Sequence, residues 1–254
     1  MKQSIKYALI VLVTGISVTI IADYILQKGF EKSNDDVIGK LNELINDTTH
    51  FDVLCFGSSR ALAHIDPAII SKETGLTCYN AGLNGGCIVD FNILLKAFLI
   101  NHPSPAYLIV HVDDFTFETQ RISELPRYFP FISNPVIYDN LVKYEKTLFY
   151  VKYFRFIRLM YYNDLLKWIG LKAILGIGAR NEYKLINGYR VNRSKWTAYY
   201  EERRTERTEF VKNLNPIQEF DPEGVKLFME MIDLCKTNNI KLLFSSSPIF
   251  SPGI

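Results

Sequence analysis

The chain has 254 residues, 48% apolar and 22% charged, with 29 basic against 27 acidic side chains. That composition excludes a disordered polypeptide and allows one substantial core with room for a small additional unit. A net charge of +2 without a one-sided basic stripe argues against nucleic acid. Arg203, Arg204 and Arg207 are interleaved with Glu201, Glu202, Glu206 and Glu209, as on a solvated helix face.

The first element is an apolar run, Tyr7 to Leu26, flanked by Lys2 and Lys6 before it and Lys28 and Lys32 after it. Twenty helical residues span ~30 Å, the thickness of a bilayer's hydrocarbon core. The single charge inside the run, Asp23, lies about a turn from its end, where it can reach the headgroups. The run therefore reads as a membrane anchor over residues 1–32. A cleaved signal peptide and a buried core helix are the rivals, and no convincing small-x-small cleavage site follows the run. The flanking lysines are nearly balanced, so charge barely orients the span. The short N-terminal tail favours an extracytoplasmic body, residues 33–254.

Residues 34–46 form a short amphipathic helix leading into a buried strand, Phe51 to Phe56. Gly57-Ser58-Ser59-Arg60 follows, then a helical stretch to Thr74 interrupted by Pro67. A brief second strand, Thr77 to Asn80, ends in Ala81-Gly82-Leu83-Asn84-Gly85-Gly86. A helix over Val89–Asn101 turns Phe91, Leu94, Leu95, Phe98 and Leu99 inward, and Tyr107 to Val112 is a continuous apolar strand followed by Asp113-Asp114. Apolar strands alternating with helices predict a doubly wound parallel sheet, a three-layer α/β fold. The rhythm lapses over about 117–215, an aromatic-rich insertion or cap. Within it, 144–175 reads as one or two helices and 183–191 as a hairpin around Asn187-Gly188; its aromatics are expected to form the cap's own core. The alternation returns with a helix from Asp221-Pro222 through Cys235 and a last strand, Ile240 to Ser245.

Cys55, Cys78, Cys87 and Cys235 contain no C-x-x-C pair and no histidine at ligand spacing, so no metal site is expected; a Cys78–Cys87 bridge stays open. No cofactor is expected either. Neither G-x-x-x-x-G-K-[ST] nor a G-x-G-x-x-G turn follows the first strand, which disfavours a flavodoxin-like nucleotide binder.

Taken in order, these pieces resemble the SGNH/GDSL hydrolase superfamily, particularly membrane-anchored members linked to acyl groups on cell-surface polymers. Gly57-Ser58-Ser59 matches the family's Gly-Asp-Ser after strand one, with Ser58 replacing the aspartate. The resemblance implies that Ser59 is the nucleophile. Asn80-Ala81-Gly82-Leu83-Asn84-Gly85 fits the Asn-x-x-x-x-Gly turn after strand two and implies an oxyanion-hole role for the Gly85 N–H. A serine at the end of a buried strand, with helix N–H groups behind it, suits acyl transfer on physical grounds as well. Gly82, Gly85 and Gly86 as a plain tight turn is the simpler alternative.

Two departures stand out. The family's Gly-x-Asn block is His111-Val112-Asp113-Asp114 here, and an ionised aspartate would repel an oxyanion. The family's Asp-x-x-His base is also missing after the last strand. Its only spelling, Asp47-Thr48-Thr49-His50, precedes strand one, whose ~3.3 Å rise per residue puts His50 at the far end of the sheet. His64 is expected on a helix heading away from Ser59, and His111 buried in its strand. Either the acidic residue and histidine lie in sequence beyond Ile254, or the chain is catalytically inactive. The resemblance implies an esterase or O-acyltransferase acting on an envelope or exported polysaccharide. The alternative is an inactive SGNH-fold protein that binds glycan or a membrane acyltransferase partner.

Overall fold

The computed structural model describes residues 2–35, 37–119, 124–177, 185–191 and 220–247. The 201–209 charge cluster and the chain beyond Ser247 lie outside the described residues.

Four strands pair in parallel, an arrangement that needs helical crossovers rather than tight turns. The first two are buried throughout, whereas the last, at the sheet edge, is largely exposed rather than buried. Strand β1 (Val53–Phe56) sits between β2 (Cys78–Asn80) and β3 (Tyr107–His111). The last strand, β6 (Lys241–Ser245), adds to β3, giving the order β2-β1-β3-β6. Alternate residues face opposite ways. Leu54, Phe56, Leu108 and Val110 join the main core with the helices α2 (Ile38–Ile45), α5 (Ile88–Asn101) and α10 (Pro222–Thr237). Val53, Cys55 and Cys78 face the other way, against Ile65 and Ile70 beside and within the short helices α3 (Ser59–His64) and α4 (Pro67–Thr74). This is a parallel α/β sheet with helices on both faces.

Several helix starts are chemically marked. Ser58 caps α3, Asp66 caps α4 with Pro67 at its first position, and Asp221 caps α10 with Pro222 behind it. All four thiols are free and buried; Cys78 Sγ lies 3.7 Å from Cys55 Sγ, so the Cys78–Cys87 bridge is not formed.

Between β3 and α10 the chain forms a 3₁₀ segment (Leu125–Phe131) and the helices α6 (Pro135–Leu141), α7 (Leu148–Tyr153), α8 (Arg155–Tyr161) and α9 (Asp164–Ile174). A small hairpin follows, β4 (Leu185–Ile186) with β5 (Tyr189–Arg190), turning at Asn187 (φ 47°) and Gly188 (φ 77°). Positive φ at both central residues is what a type I′ turn requires, hence Asn-Gly. The 144–175 stretch thus holds three helices rather than one or two. The aromatics of the whole insertion divide: Tyr128, Phe129, Phe131 and Tyr162 are buried, whereas Phe149, Tyr153, Phe154, Phe156 and Trp168 are exposed.

The N-terminal helix α1 (Lys2–Lys32) is long and apolar enough to cross a membrane, with mean hydropathy 2.3 over its most apolar window. Its apolar side chains are exposed up to Tyr24 and Ile25, and Leu26 and Phe30 enter the protein core. Asp23 does not reach outward as the sequence suggested. It is fully buried and receives Arg158 Nε at 2.8 Å together with Arg158 Nη2, with Arg155 Nε at 4.0 Å. Gln27 Nε2 donates to Tyr162 OH at 2.5 Å, and Phe30 packs edge-on against Tyr162. Gly29 meets the Gly170 backbone of α9 so closely that no side chain fits between them.

Removing one member of a buried ion pair strands the other charge, at about 3–5 kcal/mol. Arg158→Met should therefore lower stability by about that amount in denaturant unfolding of the detergent-solubilised protein. Asp23→Leu combined with Arg158→Met should recover most of the loss.

Candidate functional site at the C-terminal edge of the sheet

In an open parallel sheet, a crevice forms where neighbouring strands send their connections to opposite sides. Here β1 leads outward to β2, and β3 leads the other way to β6. The crevice therefore lies beyond the C-terminal ends of β1 and β3. Gly57-Ser58-Ser59-Arg60 leaves the first strand there, and His111-Val112-Asp113-Asp114 leaves the second.

The turn after β1 is tightly held. A side chain at Gly57 would collide with Ala61 and come 2.7 Å from His111 Cβ, so glycine is required where the two strand ends converge. The Gly57 carbonyl accepts the Leu83 N–H at 2.9 Å, bringing the loop after β2 alongside. Ser58 is buried; its Oγ accepts the Arg60 N–H at 3.2 Å and donates to Asp113 Oδ2. Arg60 Nη1 reaches Asp113 Oδ1 at 2.8 Å and the exposed Asp114 at 3.3 Å. Asp113 is also tied to its own loop, its N–H donating to Thr116 Oγ1 at 2.7 Å. The charge that would repel an oxyanion is thus enclosed and matched by a guanidinium.

Ser59 opens α3 and is exposed. Its hydroxyl makes no hydrogen bond among the described residues. Gly85 adopts φ 61°, the left-handed conformation glycine favours, in the turn Asn84-Gly85. Asn84 is clamped from two sides: Arg127 Nη2 donates to its carbonyl at 3.0 Å and Arg190 Nη1 to its side-chain oxygen at 3.1 Å. Asn80 fixes the start of the same loop. Its Nδ2 donates to the carbonyls of Ala61 and Ile65 at 2.8 and 2.7 Å, and its Oδ1 accepts the Gly82 N–H at 2.9 Å. Buried Lys40 donates to the Gly82 carbonyl at 2.7 Å. The N–H groups of Ser59 and Gly85 have no acceptor among the described residues.

A second group stands on the same edge and was not legible in the sequence. Ser247 Oγ lies 2.7 Å from His64 Nδ1 and 3.2 Å from His111 Nε2, while His111 Nδ1 lies 3.1 Å from Ser245 Oγ. His64, rather than pointing away, is turned to the end of β6. Burial first, and the neighbouring His64 and Arg60 charges after it, hold His111 below the usual histidine value against the opposing pull of Asp113, 3.9 Å from Nε2. His111 is therefore neutral near pH 7, and the tautomer follows from which serine donates to it. His50 pairs with Asp52 at 3.1 Å before β1, at the opposite end of the sheet. Among the described residues no group of three or more His, Cys, Asp or Glu could hold a metal ion.

The structure therefore brings Ser58, Asp113, Arg60, His111, His64 and Ser247 onto one edge with Ser59. Partners 53 to 183 residues apart in sequence make these contacts, so spacing could not reveal them. The one local signal was two aspartates directly after a buried strand. No family model matches the chain, and no curated protein matches it significantly.

A histidine depressed in the folded state is protonated more readily in the unfolded chain, so its contribution to stability falls as pH drops below about 6.5. The imidazole resonances of His111 should titrate below the ordinary histidine value of about 6.5. His111→Gln should flatten the pH dependence of unfolding through that window.

Proposed function

We propose that this chain is an SGNH-like serine esterase or O-acyltransferase acting on acyl groups of an envelope or exported polysaccharide. Its N-terminal helix anchors it in the membrane, with the body on the extracytoplasmic side and the segment between β3 and α10 inserted into the α/β unit. The observation that carries this reading is position. Ser59 is an exposed serine on the turn leaving a central parallel strand, at the switch point, at the start of a helix and beside a glycine-rich loop held by Asn80, Arg127 and Arg190.

In this mechanism Ser59 Oγ attacks the acyl carbonyl, forming a new ester bond to serine. The bond to the donor ester's alcohol oxygen breaks, and that oxygen leaves carrying the proton given up by Ser59 Oγ. Water or a second hydroxyl then attacks the acyl-serine and regenerates the free side chain. The Ser59 and Gly85 N–H groups donate to the tetrahedral oxyanion, each such donor contributing about 2.7–4 kcal/mol in comparable sites. Asp113 takes no part in the proton transfer: with Ser58 and Arg60 it fixes the turn that presents Ser59.

One observation favours the non-enzymatic alternative, an envelope protein that binds glycan or a membrane acyltransferase. A serine nucleophile needs a base, and no imidazole or carboxylate among the described residues is hydrogen-bonded to Ser59 Oγ.

Turnover of a short-chain p-nitrophenyl ester by the purified full chain separates the two. Ser59→Ala should lower kcat/KM by at least about 10³-fold, the scale on which triad residues act. Equal turnover by parent and variant would remove Ser59 as nucleophile, and an inactive parent that still retains glycan would favour the binding protein.

A further inference from the structure

We infer that the helical segment from Leu148 to Ile177 rests in the membrane interface, so that the chain meets the bilayer through a second surface besides α1. The inference depends on α1 crossing the membrane.

Counting along α1 sets the level of the interface. About twenty helical residues cover the hydrocarbon core. The apolar side chains of α1 are exposed through Ile21 and Tyr24, and Asp23 is where protein first encloses the helix. The boundary between hydrocarbon and headgroups therefore falls close to Asp23. At that level sits the start of α8, since Arg155 and Arg158 both reach the Asp23 carboxylate. Four residues on from Arg158, Tyr162 meets Gln27 and Phe30, so α8 runs away from the bilayer and its beginning is the end nearest to it.

The side chains at that end are the wrong kind for water. Phe154 and Phe156 flank Arg155 and are 50% and 55% exposed. Tyr153, Trp168, Leu175 and Ile177 are also exposed on the same three-helix segment. Soluble surfaces rarely carry so many large apolar groups together. Trp and Tyr are enriched where a bilayer meets water, because an amphipathic ring satisfies both phases there.

Charge points to lipid as the occupant rather than to a second copy of the chain. Between Leu148 and Ile177 there are five basic residues, Lys152, Arg155, Arg158, Lys167 and Lys172, against the single acid Asp164. Arg158 is spent on Asp23, Arg155 stands 4.0 Å from the same carboxylate, Lys152 lies over the Tyr138 ring and Lys167 is 3.7 Å from Asp164. The net basic charge still suits anionic headgroups, since long basic side chains can cover apolar surface while keeping their charge toward a polar phase. The patch is also continuous with α1 through Asp23–Arg158, Gln27–Tyr162 and Gly29–Gly170.

Lipid-borne quenching of tryptophan tests this on the full chain. In a Trp168→Phe, Trp196→Phe background, single tryptophans replace Phe156, Phe154, Val11 on α1, and Ile69, which is exposed on α4 across the sheet. The proteins are reconstituted into vesicles of phosphatidylglycerol and phosphatidylcholine brominated at carbons 6 and 7. Phe156→Trp and Phe154→Trp should be quenched at least about twofold more than Ile69→Trp. Quenching at Val11→Trp with Phe156→Trp and Phe154→Trp no different from Ile69→Trp would overturn the inference and leave the anchor standing. Lack of quenching at Val11→Trp as well would overturn both. Should the tryptophan-free background misfold, the same replacements in the parent chain give the result as the added quenching relative to parent.

Discussion

A carboxylate with no solvent access must be neutralised where it stands, and at the C-terminal edge of this sheet that requirement falls on Asp113. It is met by the Ser58 hydroxyl and the Arg60 guanidinium, both from the turn after β1, while Thr116 secures the backbone of Asp113. The result joins two strand ends that the sequence holds 53 residues apart. It also sets the geometry of everything between them. With Ser58 turned inward as helix cap and Asp113 partner, the next residue, Ser59, faces solvent.

The loop after β2 is held by a different means. Its glycines allow close backbone approach, and four polar side chains from separate elements hold it in place, Lys40 of α2 at the Gly82 carbonyl being one. Asn80 ties it to α3, Arg127 reaches it from the 3₁₀ segment, and Arg190 from the β4–β5 hairpin. The hairpin is itself pinned, because the Asn80 N–H donates to the Asn187 carbonyl and Gly188 packs against the Asn80 carbonyl. The segment between β3 and α10 thus buttresses the site at one end. At the other, through Arg158 and Gly170, it grips the N-terminal helix. One stretch of chain therefore connects the apolar N-terminal helix to the crevice.

Much of the fold could be read from local patterns, for specific reasons. Buried parallel strands are continuously apolar, so Val53–Phe56 and Tyr107–His111 were visible as strands. Pro222 marks a helix start because a first-turn residue needs no N–H, and Asn187-Gly188 marks a hairpin because both residues tolerate positive φ. Pro67, read as an interruption, opens a helix of its own for the same reason as Pro222. The anchor-like helix was evident from length and hydropathy as far as Lys32, but the packing of its last turns against the body was not, because their partners, Arg158, Tyr162 and Gly170, lie far along the chain. The exposed aromatics of α7 to α9 were mistaken for core because helical spacing alone does not say which face has a neighbour.

By itself, then, the sequence determined the parallel α/β alternation, the apolar N-terminal helix, and the places where serine and glycines stand at strand ends. Each of these is a property of a few consecutive residues. Only the tertiary structure decided that Ser58 and Asp113 are partners, that His64 and His111 meet at Ser247, and that Asp23 is buried against Arg158. Those contacts join side chains 55 to 183 residues apart. Hydrogen bonds and ion pairs depend on ångström-scale placement, which local pattern does not encode and strand order and helix packing do.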